Sequence, residues 1–304
     1  MTSGNAMAQE EEFELLKAVE SDAAELSRQH QERRSHWYFH DFIPWELGRN
    51  FRDEPWEESQ CTLDEPARTA LVLNLLTEDN LPSYHLALEK YLPDSPVWNE
   101  WNGIWTSEEG QHAMAIRSYL LTSRNCDPVE LEDDRMATMR TGWSPSATSP
   151  AELFSYTAAQ ELATRVSHRN AGKITDDESA FDLMRNIAAD ENHHFVFYKG
   201  VMDAMLREAP SVVLEGMFNT FENFQMPGVG IPGFVRRSIE VAKAGVYNMR
   251  VHYEHVLIPL LKQWGIADLG DLTPKAEEYQ EKLMELPNEI LRKAERFEAR
   301  FGTV

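Results

Sequence analysis

The sequence predicts an all-α protein built around a helix bundle. Alternation of apolar and polar residues, which is typical of strands, is nearly absent, whereas apolar residues recur at spacings of three and four through most of the chain. The connectors are short and rich in Pro, Gly, Ser and Asp, as in PDSP at 93–96 and SPSATSP at 144–150. Because none of them is long enough to separate two units, we expect a single domain over residues 13–304.

The predicted helices follow the chain in order. Residues 1–12 (MTSGNAMAQEEE) show neither a basic nor an apolar signal region, and we expect them to be disordered. Residues 10–30 alternate charged residues with Leu and Ala at helical spacing, and residues 31–65 are irregular and aromatic. Further helices are predicted over 66–92, 98–122, 150–170, 179–207, 211–223, 234–264 and 274–300.

Charge and cysteine content restrict the partners and the compartment. The formal net charge of −22 argues against general nucleic-acid binding, which needs a basic surface, and favours a solubilising surface. The two cysteines, Cys61 and Cys126, are isolated, so we expect a reducing, cytoplasmic environment and no disulfide framework. No apolar run reaches 18 residues, so we expect no membrane span.

Two predicted helices carry ionisable residues on stripes that are otherwise apolar. One stripe contains Glu191 and His194, and the other, 82 residues earlier, contains Glu109 and His112. These pairs are the two E-x-x-H motifs of the chain. A single such motif is weak evidence, but two motifs in matching register on apolar stripes suggest a shared buried site.

Each motif also has a partner carboxylate upstream. Glu78 lies 31 residues before Glu109, and Glu161 lies 30 residues before Glu191, so each half predicts an antiparallel helix pair. A four-helix bundle in which two helices supply one Glu each and the other two supply Glu-x-x-His is the ferritin-like di-iron arrangement. The fold class predicted is therefore all-α, a ferritin-like di-iron four-helix bundle with additional packed helices.

The charge balance of this arrangement fits two ferrous ions. Four carboxylates neutralise the four positive charges of two Fe²⁺ ions, and two neutral imidazoles complete the ligand set. Without metal the alternative is a set of buried ion pairs, which is costly for four clustered carboxylates. We predict two iron ions (Fe²⁺) per subunit, with these ligands: Glu78, Glu109, His112, Glu161, Glu191 and His194.

Four residues near the predicted ligands could either pack in the core or form hydrogen bonds to the ligands. Glu108 and Asp190 each precede a predicted ligand, and we expect each to accept the second ring proton of the histidine on the other helix. His85 and His168 each follow a predicted ligand by seven residues, about 10 Å along a helix, which is too far to bind the same metal. Packing in the core is the preferred interpretation for both histidines, and a hydrogen bond to a ligand is the alternative.

Several blocks of this sequence, in order, carry a family resemblance that extends from about Trp37 to the C-terminal helix. The chain resembles the soluble acyl-acyl carrier protein (acyl-ACP) desaturases of plants and their actinobacterial relatives in WYFHDFIP, LTEDNLPSYH, WTSEEGQH, YTAAQELATRVSHRNAG, AADENHH and MPGVGIPGF. The resemblance implies a homodimer with a di-iron centre in each subunit, formed by the six predicted ligands. It also implies oxygen-dependent insertion of a cis double bond into a saturated acyl chain on acyl carrier protein, with two electrons from ferredoxin.

The resemblance also implies roles for three further residues. Trp37 and Asp190 match positions proposed for electron transfer through His112, and Thr164 matches a hydroxyl beside the oxygen-binding face. An alternative for Thr164 is a bond to a helix carbonyl. The chain departs from the family pattern inside both motifs, at Gly110–Gln111 and Asn192–His193, which face away from the metal.

Three further points remain hypotheses at this level. An acyl-chain hydroxylase and a non-enzymatic ferritin-like iron-binding protein are alternative functions. Carrier-protein docking on an acidic chain needs a basic patch, and one candidate, against a merely solvated helix face, contains Arg236, Arg237, Lys243 and Arg250. The walls of an acyl channel are expected among the apolar neighbours of the ligands, such as Leu75, Met114 and Ile187.

Overall fold

The computed structural model describes residues 13–228 and 230–302, and all regular elements within these ranges are helical. The all-α prediction is confirmed, while the disorder expected for residues 1–12 concerns a segment outside the described residues. The α-helices in chain order are α1 (13–18), α2 (Glu20–Arg33), α3 (Glu65–Glu78), α4 (Leu81–Tyr91), α5 (Pro96–Thr122), α6 (Pro128–Thr141), α7 (Pro150–Ile174), α8 (Glu178–Glu208), α9 (Pro210–Glu222), α10 (Phe234–Lys243), α11 (Met249–His252), α12 (Ile258–Gln263) and α13 (Pro274–Phe301).

Helices α3, α5, α7 and α8 form the central four-helix bundle. Each packs against two others, so that the order around the bundle is α3, α5, α8 and α7. The short α4 connects α3 with α5 along the chain. Helix α2 packs on the outside of α5 and α8, and α9 packs between α7 and α13. The architecture is therefore the predicted four-helix bundle with additional packed helices.

Side-chain caps determine where the bundle helices begin. The residue before the first turn of each one accepts a hydrogen bond from a backbone N–H group that the helix itself leaves unpaired. Proline occupies the first turn of α3, α5 and α7, where its missing N–H costs nothing. The capping residues are Asp64 for α3, Ser95 for α5, Ser149 for α7 and Asp177 for α8.

Two predicted helices are interrupted in the structure, and one further helix was not predicted. The predicted helix 66–92 is two helices, since α3 ends at Glu78 and α4 starts with Pro82 in its first turn. The predicted helix 234–264 is interrupted at Gly245, which has a φ of 71°, and it resumes behind an Asn248 cap. Helix α6 was not predicted, because its sequence, PVELEDDRMATMRT, has six charged residues among fourteen and no clear apolar stripe.

The bundle core contains two hydrophobic clusters with a polar layer between them. Along α5, Trp105 belongs to the first cluster and Ile116 to the second, and the E-x-x-H motif lies between these two positions. Along α8, Ile187 belongs to the second cluster and Tyr198 to the first, again on either side of the motif. Within the described residues, no helix combines the length and the apolar character needed to cross a bilayer.

Candidate metal centre

The six predicted metal ligands meet in the polar layer of the bundle, and all six are buried. Their donor atoms form two overlapping groups, and within each group the atoms lie no more than 4.8 Å apart. The first group comprises Glu78, Glu109, His112 and Glu191, and the second comprises Glu109, Glu161, Glu191 and His194. The two glutamates of the E-x-x-H motifs belong to both groups, so each could contribute an oxygen to two metal positions.

The first group is centred on Nδ1 of His112. This atom lies 3.3 Å from Oε1 of Glu191, 3.5 Å from Oε2 of Glu109 and 3.8 Å from Oε2 of Glu78. Glu78 is the last residue of α3, so its side chain enters the layer from the end of that helix. Three helices thus supply one group, α3, α5 and α8.

The second group is centred on Nδ1 of His194. This atom lies 2.8 Å from Oε1 of Glu109 and 3.5 Å from Oε2 of Glu161. Glu161 comes from the middle of α7, and its Oε1 accepts a 2.9 Å hydrogen bond from Nε1 of Trp105. Trp105 lies one helical turn before Glu109, and the sequence alone does not show that its indole touches a predicted ligand.

The outward-facing nitrogens of both histidines contact carboxylates on the opposite helix. Nε2 of His112 lies 3.4 Å from Oδ2 of Asp190, and Nε2 of His194 lies 2.8 Å from Oε2 of Glu108. These are the contacts expected for the residues that precede the two motif glutamates. A carboxylate at Nε2 holds the proton there and leaves Nδ1 free to face the centre.

The donor atoms of the site fit a metal pair better than a set of ion pairs. Although Nδ1 of His194 is close to Oε1 of Glu109, that contact does not have hydrogen-bond geometry. Buried polar atoms without a hydrogen bond are rare, and metal coordination would satisfy all of these inward-facing atoms at once. The buried atoms of the predicted ligands that have no hydrogen-bond partner in the described structure are Glu109 Oε1, His112 Nδ1, Glu161 Oε2, Glu191 Oε1 and His194 Nδ1.

Without metal, protons supply the positive charge of the site. Burial lowers the pKa of His112 and His194, but the surrounding carboxylates outweigh it and raise both pKa values well above the ordinary value. Burial and repulsion from Glu191 raise the pKa of Glu161 well above its usual range. Metal binding must therefore displace protons from these imidazoles and carboxylates.

Thr164 lies one turn after Glu161 and contacts the shared carboxylate of Glu191. Its Oγ1 donates a hydrogen bond to Oε2 of Glu191 over 2.6 Å, and it also lies 3.1 Å from the carbonyl oxygens of Gln160 and Glu161. Because a hydroxyl has a single proton, the bond to Glu191 and the helix-carbonyl bond compete for it. The structure thus contains both contacts that the sequence analysis considered for Thr164.

Trp37 reaches the centre through Asp190. Its Nε1 donates a 2.8 Å hydrogen bond to Oδ2 of Asp190, the same oxygen that faces His112. The indole also lies nearly parallel to the imidazole of His112, with ring centroids 6.5 Å apart. Trp37, Asp190 and His112 therefore form one continuous chain of contacts from an irregular segment to the site.

His168 belongs to the site, and its preferred interpretation as a packed residue was wrong. Its Nε2 lies 3.0 Å from Oε1 of Glu78 and 3.5 Å from Oε1 of Glu191, and Asn74 holds its Nδ1. The spacing of seven residues separates His168 from Glu161 on its own helix, but Glu78 approaches it from α3. His85 belongs to neither donor group of the centre, and its Nδ1 lies 2.7 Å from Oγ1 of Thr106.

Comparison with known proteins agrees with this architecture. The family model described as "Fatty acid desaturase" matches residues 11–303. The chain belongs to the fatty acid desaturase family. DesA1 of Mycobacterium tuberculosis, which is named as an acyl-ACP desaturase, is 35% identical over 298 residues, covering 94% of this chain and 88% of the relative.

The chain is also similar to a plant desaturase and to a solved desaturase structure, both at lower identity. The chloroplastic stearoyl-ACP 9-desaturase 5 of Arabidopsis thaliana is 27% identical, covering 95% of this chain and 78% of the relative. The X-ray structure of DesA2 from Mycobacterium tuberculosis superposes with a TM-score of 0.71 at 24% identity, covering 87% of this chain and 98% of that chain. The latter similarity supports the fold.

Proposed function

We propose that this desaturase-family protein is an acyl-ACP desaturase that uses a di-iron centre. The observation that carries the proposal is the pair of buried donor groups that share Glu109 and Glu191 in a chain of this family. We assign one iron position to each group, with all six predicted ligands used and Glu109 and Glu191 shared. The family membership favours desaturation over the hydroxylase and iron-binding alternatives.

The reaction we propose converts a saturated acyl chain, O₂, two electrons and two protons into a cis alkene and two molecules of water. When bound, the iron pair supplies the oxygen chemistry needed to break two unactivated C–H bonds on adjacent carbons, which no amino-acid side chain can do. The chain's own residues supply orientation and protection from water. Asp190 and Glu108 hold His112 and His194 with Nδ1 directed inward, and Thr164 holds one oxygen of Glu191.

An apolar cavity beside the centre is our candidate for the acyl site. Its volume is about 30 Å³, so an acyl chain would have to widen it. Trp105 lines it and also bonds Glu161, so the indole lies between the cavity and the second donor group. It shares Trp143 and Tyr156 with a wider surface cleft of about 660 Å³, which would let a chain enter from solvent. The remaining lining residues of the inner cavity are Tyr84, Ala87, Leu88, Leu153, Thr157, Gln160 and Pro227.

This candidate cavity has other walls than those expected from the sequence, which stay a prediction. Leu75 and Ile187 lie fully buried in the second hydrophobic cluster, and Met114 is 52% exposed. All three are helical neighbours of predicted ligands, but the cavity lies on the side of the centre formed by the first cluster, near Trp105.

The partners we propose are acyl carrier protein, ferredoxin and a second copy of the chain, in the cytoplasm. The basic patch suggested for carrier-protein docking is smaller than expected. Arg237 is buried and pairs with Asp134, and Arg250 pairs with Glu298 through two hydrogen bonds. Arg236 and Lys243 are the members of the patch without a carboxylate partner among the described residues.

Iron analysis and product analysis together test the proposal. The purified protein should contain about two iron ions per chain, and with O₂ and reduced ferredoxin it should convert a saturated acyl-ACP into a mono-unsaturated product two mass units lighter. Mass spectrometry across a panel of acyl-chain lengths gives the preferred substrate. A product that gains one oxygen would indicate a hydroxylase, and iron binding without any product would favour the iron-binding alternative.

A further inference from the structure

A segment outside the four-helix bundle holds the two carboxylates behind the metal histidines. This segment, residues 30–37, begins in the last turn of α2 and is called the strap below. Arg34 lies at its centre, and only 8% of its side chain is exposed. Its Nε and Nη2 donate to the two oxygens of Asp190 over 3.0 and 2.8 Å, and its Nε also lies 3.3 Å from Oε1 of Glu108.

Two other strap residues each contact one of these carboxylates. Nε2 of His30 lies 3.0 Å from Oε2 of Glu108, and Nε1 of Trp37 lies 2.8 Å from Oδ2 of Asp190. His30 therefore faces the His194 side of the centre, and Trp37 faces the His112 side. Arg34 is the strap residue whose side chain reaches both.

We propose that Arg34 is a positioning residue: one guanidinium group holds Asp190 and Glu108, which in turn orient both metal histidines. Arg34 thereby affects the metal affinity of both positions. The inference rests on the di-iron centre proposed above. Asp190 faces His112 of the first donor group, and Glu108 faces His194 of the second. A change at Arg34 consequently reaches both groups, whereas His30 and Trp37 each reach one.

The chemistry of arginine explains why one side chain can do this. The guanidinium group is planar and presents its N–H donors in a fixed fork, so Nε–H and Nη2–H bind Asp190 through two parallel bonds, while its delocalised positive charge lies 3.3 Å from Glu108 and attracts that carboxylate without a hydrogen bond. Lysine has a single ammonium group and cannot reproduce that geometry. Partners of metal-bound histidines, here Asp190 and Glu108, typically alter metal affinity by about 10–100-fold when they are removed, and Arg34 acts through both of them.

An additional metal ion is a poor alternative explanation for this cluster. His30, Glu108 and His194 bring three metal-type donors close together. However, the guanidinium of Arg34 lies against the same carboxylate, and its positive charge opposes a cation there. The Nε2 atom of His194 would also have to lose its proton to join such a site.

Anaerobic Fe²⁺ titration and NMR of the Co²⁺-loaded protein test the inference. In the wild type, the Nε2–H protons of His112 and His194 should give two exchangeable, paramagnetically shifted signals. Arg34→Gln should move both signals and weaken both Fe²⁺ affinities about tenfold or more. Trp37→Phe should move only the His112 signal, His30→Leu only the His194 signal, and Arg33→Gln, an exposed neighbour, neither.

Each further outcome has a defined meaning. If Arg34→Gln leaves both signals and both affinities unchanged, or changes one group alone, the joint role is wrong. Should that variant not fold, Arg34→Lys provides the test, because it keeps the charge but is expected to restore at most one of the two signals. Two wild-type signals in Arg34→Lys would overturn the inference. A wild type that binds neither Fe²⁺ nor Co²⁺ would instead refute the proposed centre itself.

Discussion

The indole Nε1 of Trp105 donates a 2.9 Å hydrogen bond to Oε1 of Glu161, while the same ring lines the apolar cavity. A hydrogen bond to a charged group is worth about 1.5–3 kcal/mol, so its loss should weaken the nearer metal position roughly tenfold or more. We expect this weakening in Trp105→Phe, measured by anaerobic Fe²⁺ titration. Trp98→Phe is the matched control, since Nε1 of Trp98 is buried without a partner in the described structure. Equal affinities in the two variants would contradict the prediction.

The shared glutamates should matter more for iron content than the unshared ones. Glu109 and Glu191 occur in both donor groups, whereas Glu78 and Glu161 occur in one each. Elemental analysis of Glu109→Ala and Glu191→Ala should therefore find almost no iron, and Glu78→Ala and Glu161→Ala should retain about one ion per chain, because removing one donor leaves the other group complete. Equal losses in all four variants would argue against two positions with shared carboxylates.

Asp190→Asn separates electron delivery from the chemical step. Asparagine keeps one acceptor oxygen, but it loses the charge that faces His112, Arg34 and Trp37. At saturating iron we expect a slower ferredoxin-driven rate, because the contact chain from Trp37 is altered. The chemically reduced variant should still form alkene in a single turnover. A parallel fall of single-turnover yield and steady-state rate, with iron still bound, would assign Asp190 to the chemical step.

Charge reversal tests, as a carrier-protein contact, the two basic residues that have no carboxylate partner in the described part of the chain. Arg236→Glu and Lys243→Glu should raise KM for acyl-ACP severalfold at low salt, and added salt should reduce the difference from the wild type. Arg237 is a different case, because its loss leaves the half-buried Asp134 without its cation and should lower stability. Arg207→Glu, an exposed reversal on α8, serves as the control. Identical KM values across ionic strength would exclude this patch.

His252 should make the stability of the fold depend on pH. Burial lowers its pKa from 6.5 to about 4, and its ring stacks on Phe224 while Nδ1 contacts the hydroxyl of Tyr247. Between these two pH values the unfolded chain binds a proton that the folded chain does not. The contribution of neutral His252 is therefore complete above pH 6.5 and is lost as pH falls to 4, by about 3 kcal/mol.

Urea unfolding of His252→Phe against the wild type measures this loss. Phenylalanine keeps an aromatic ring against Phe224 but has no proton to bind. The difference in unfolding free energy between the two proteins should therefore shift in favour of the variant as pH falls from 7 to 4. Parallel pH profiles would show that His252 titrates in the folded protein as it does in the unfolded chain.

The regular part of the fold and the convergence of the six site residues could be predicted from the sequence. Glu109, His112, Glu191 and His194 lie on helices whose period sets their direction, so their meeting follows from register alone. The break between α3 and α4 was harder to predict, because the pattern of apolar residues continues across Pro82. The charged α6 gave no periodic signal, since its amphipathicity is weak.

The surroundings of the site depend on tertiary contacts that no local pattern contains. Arg34 lies in an irregular segment, 156 residues from Asp190 along the chain, so no period links the two. His168 was misjudged because its spacing was compared with Glu161 on its own helix, whereas its contact is with Glu78 on α3. The family resemblance identified Trp37, but it could not identify Arg34 or the Trp105 contact.

The two helix hairpins, α3 with α5 and α7 with α8, each contribute one glutamate to the donor group of the other, and this bears on the origin of the centre. Each donor group takes three residues from its own hairpin, which supplies a Glu and a Glu-x-x-His, and one glutamate from the other hairpin. Neither hairpin could complete a group by itself. Two identical copies of one hairpin, related by a twofold axis, would nevertheless present all six side chains. This polypeptide thus contains within one chain the ligand set that gene duplication and fusion of a symmetric hairpin dimer would produce.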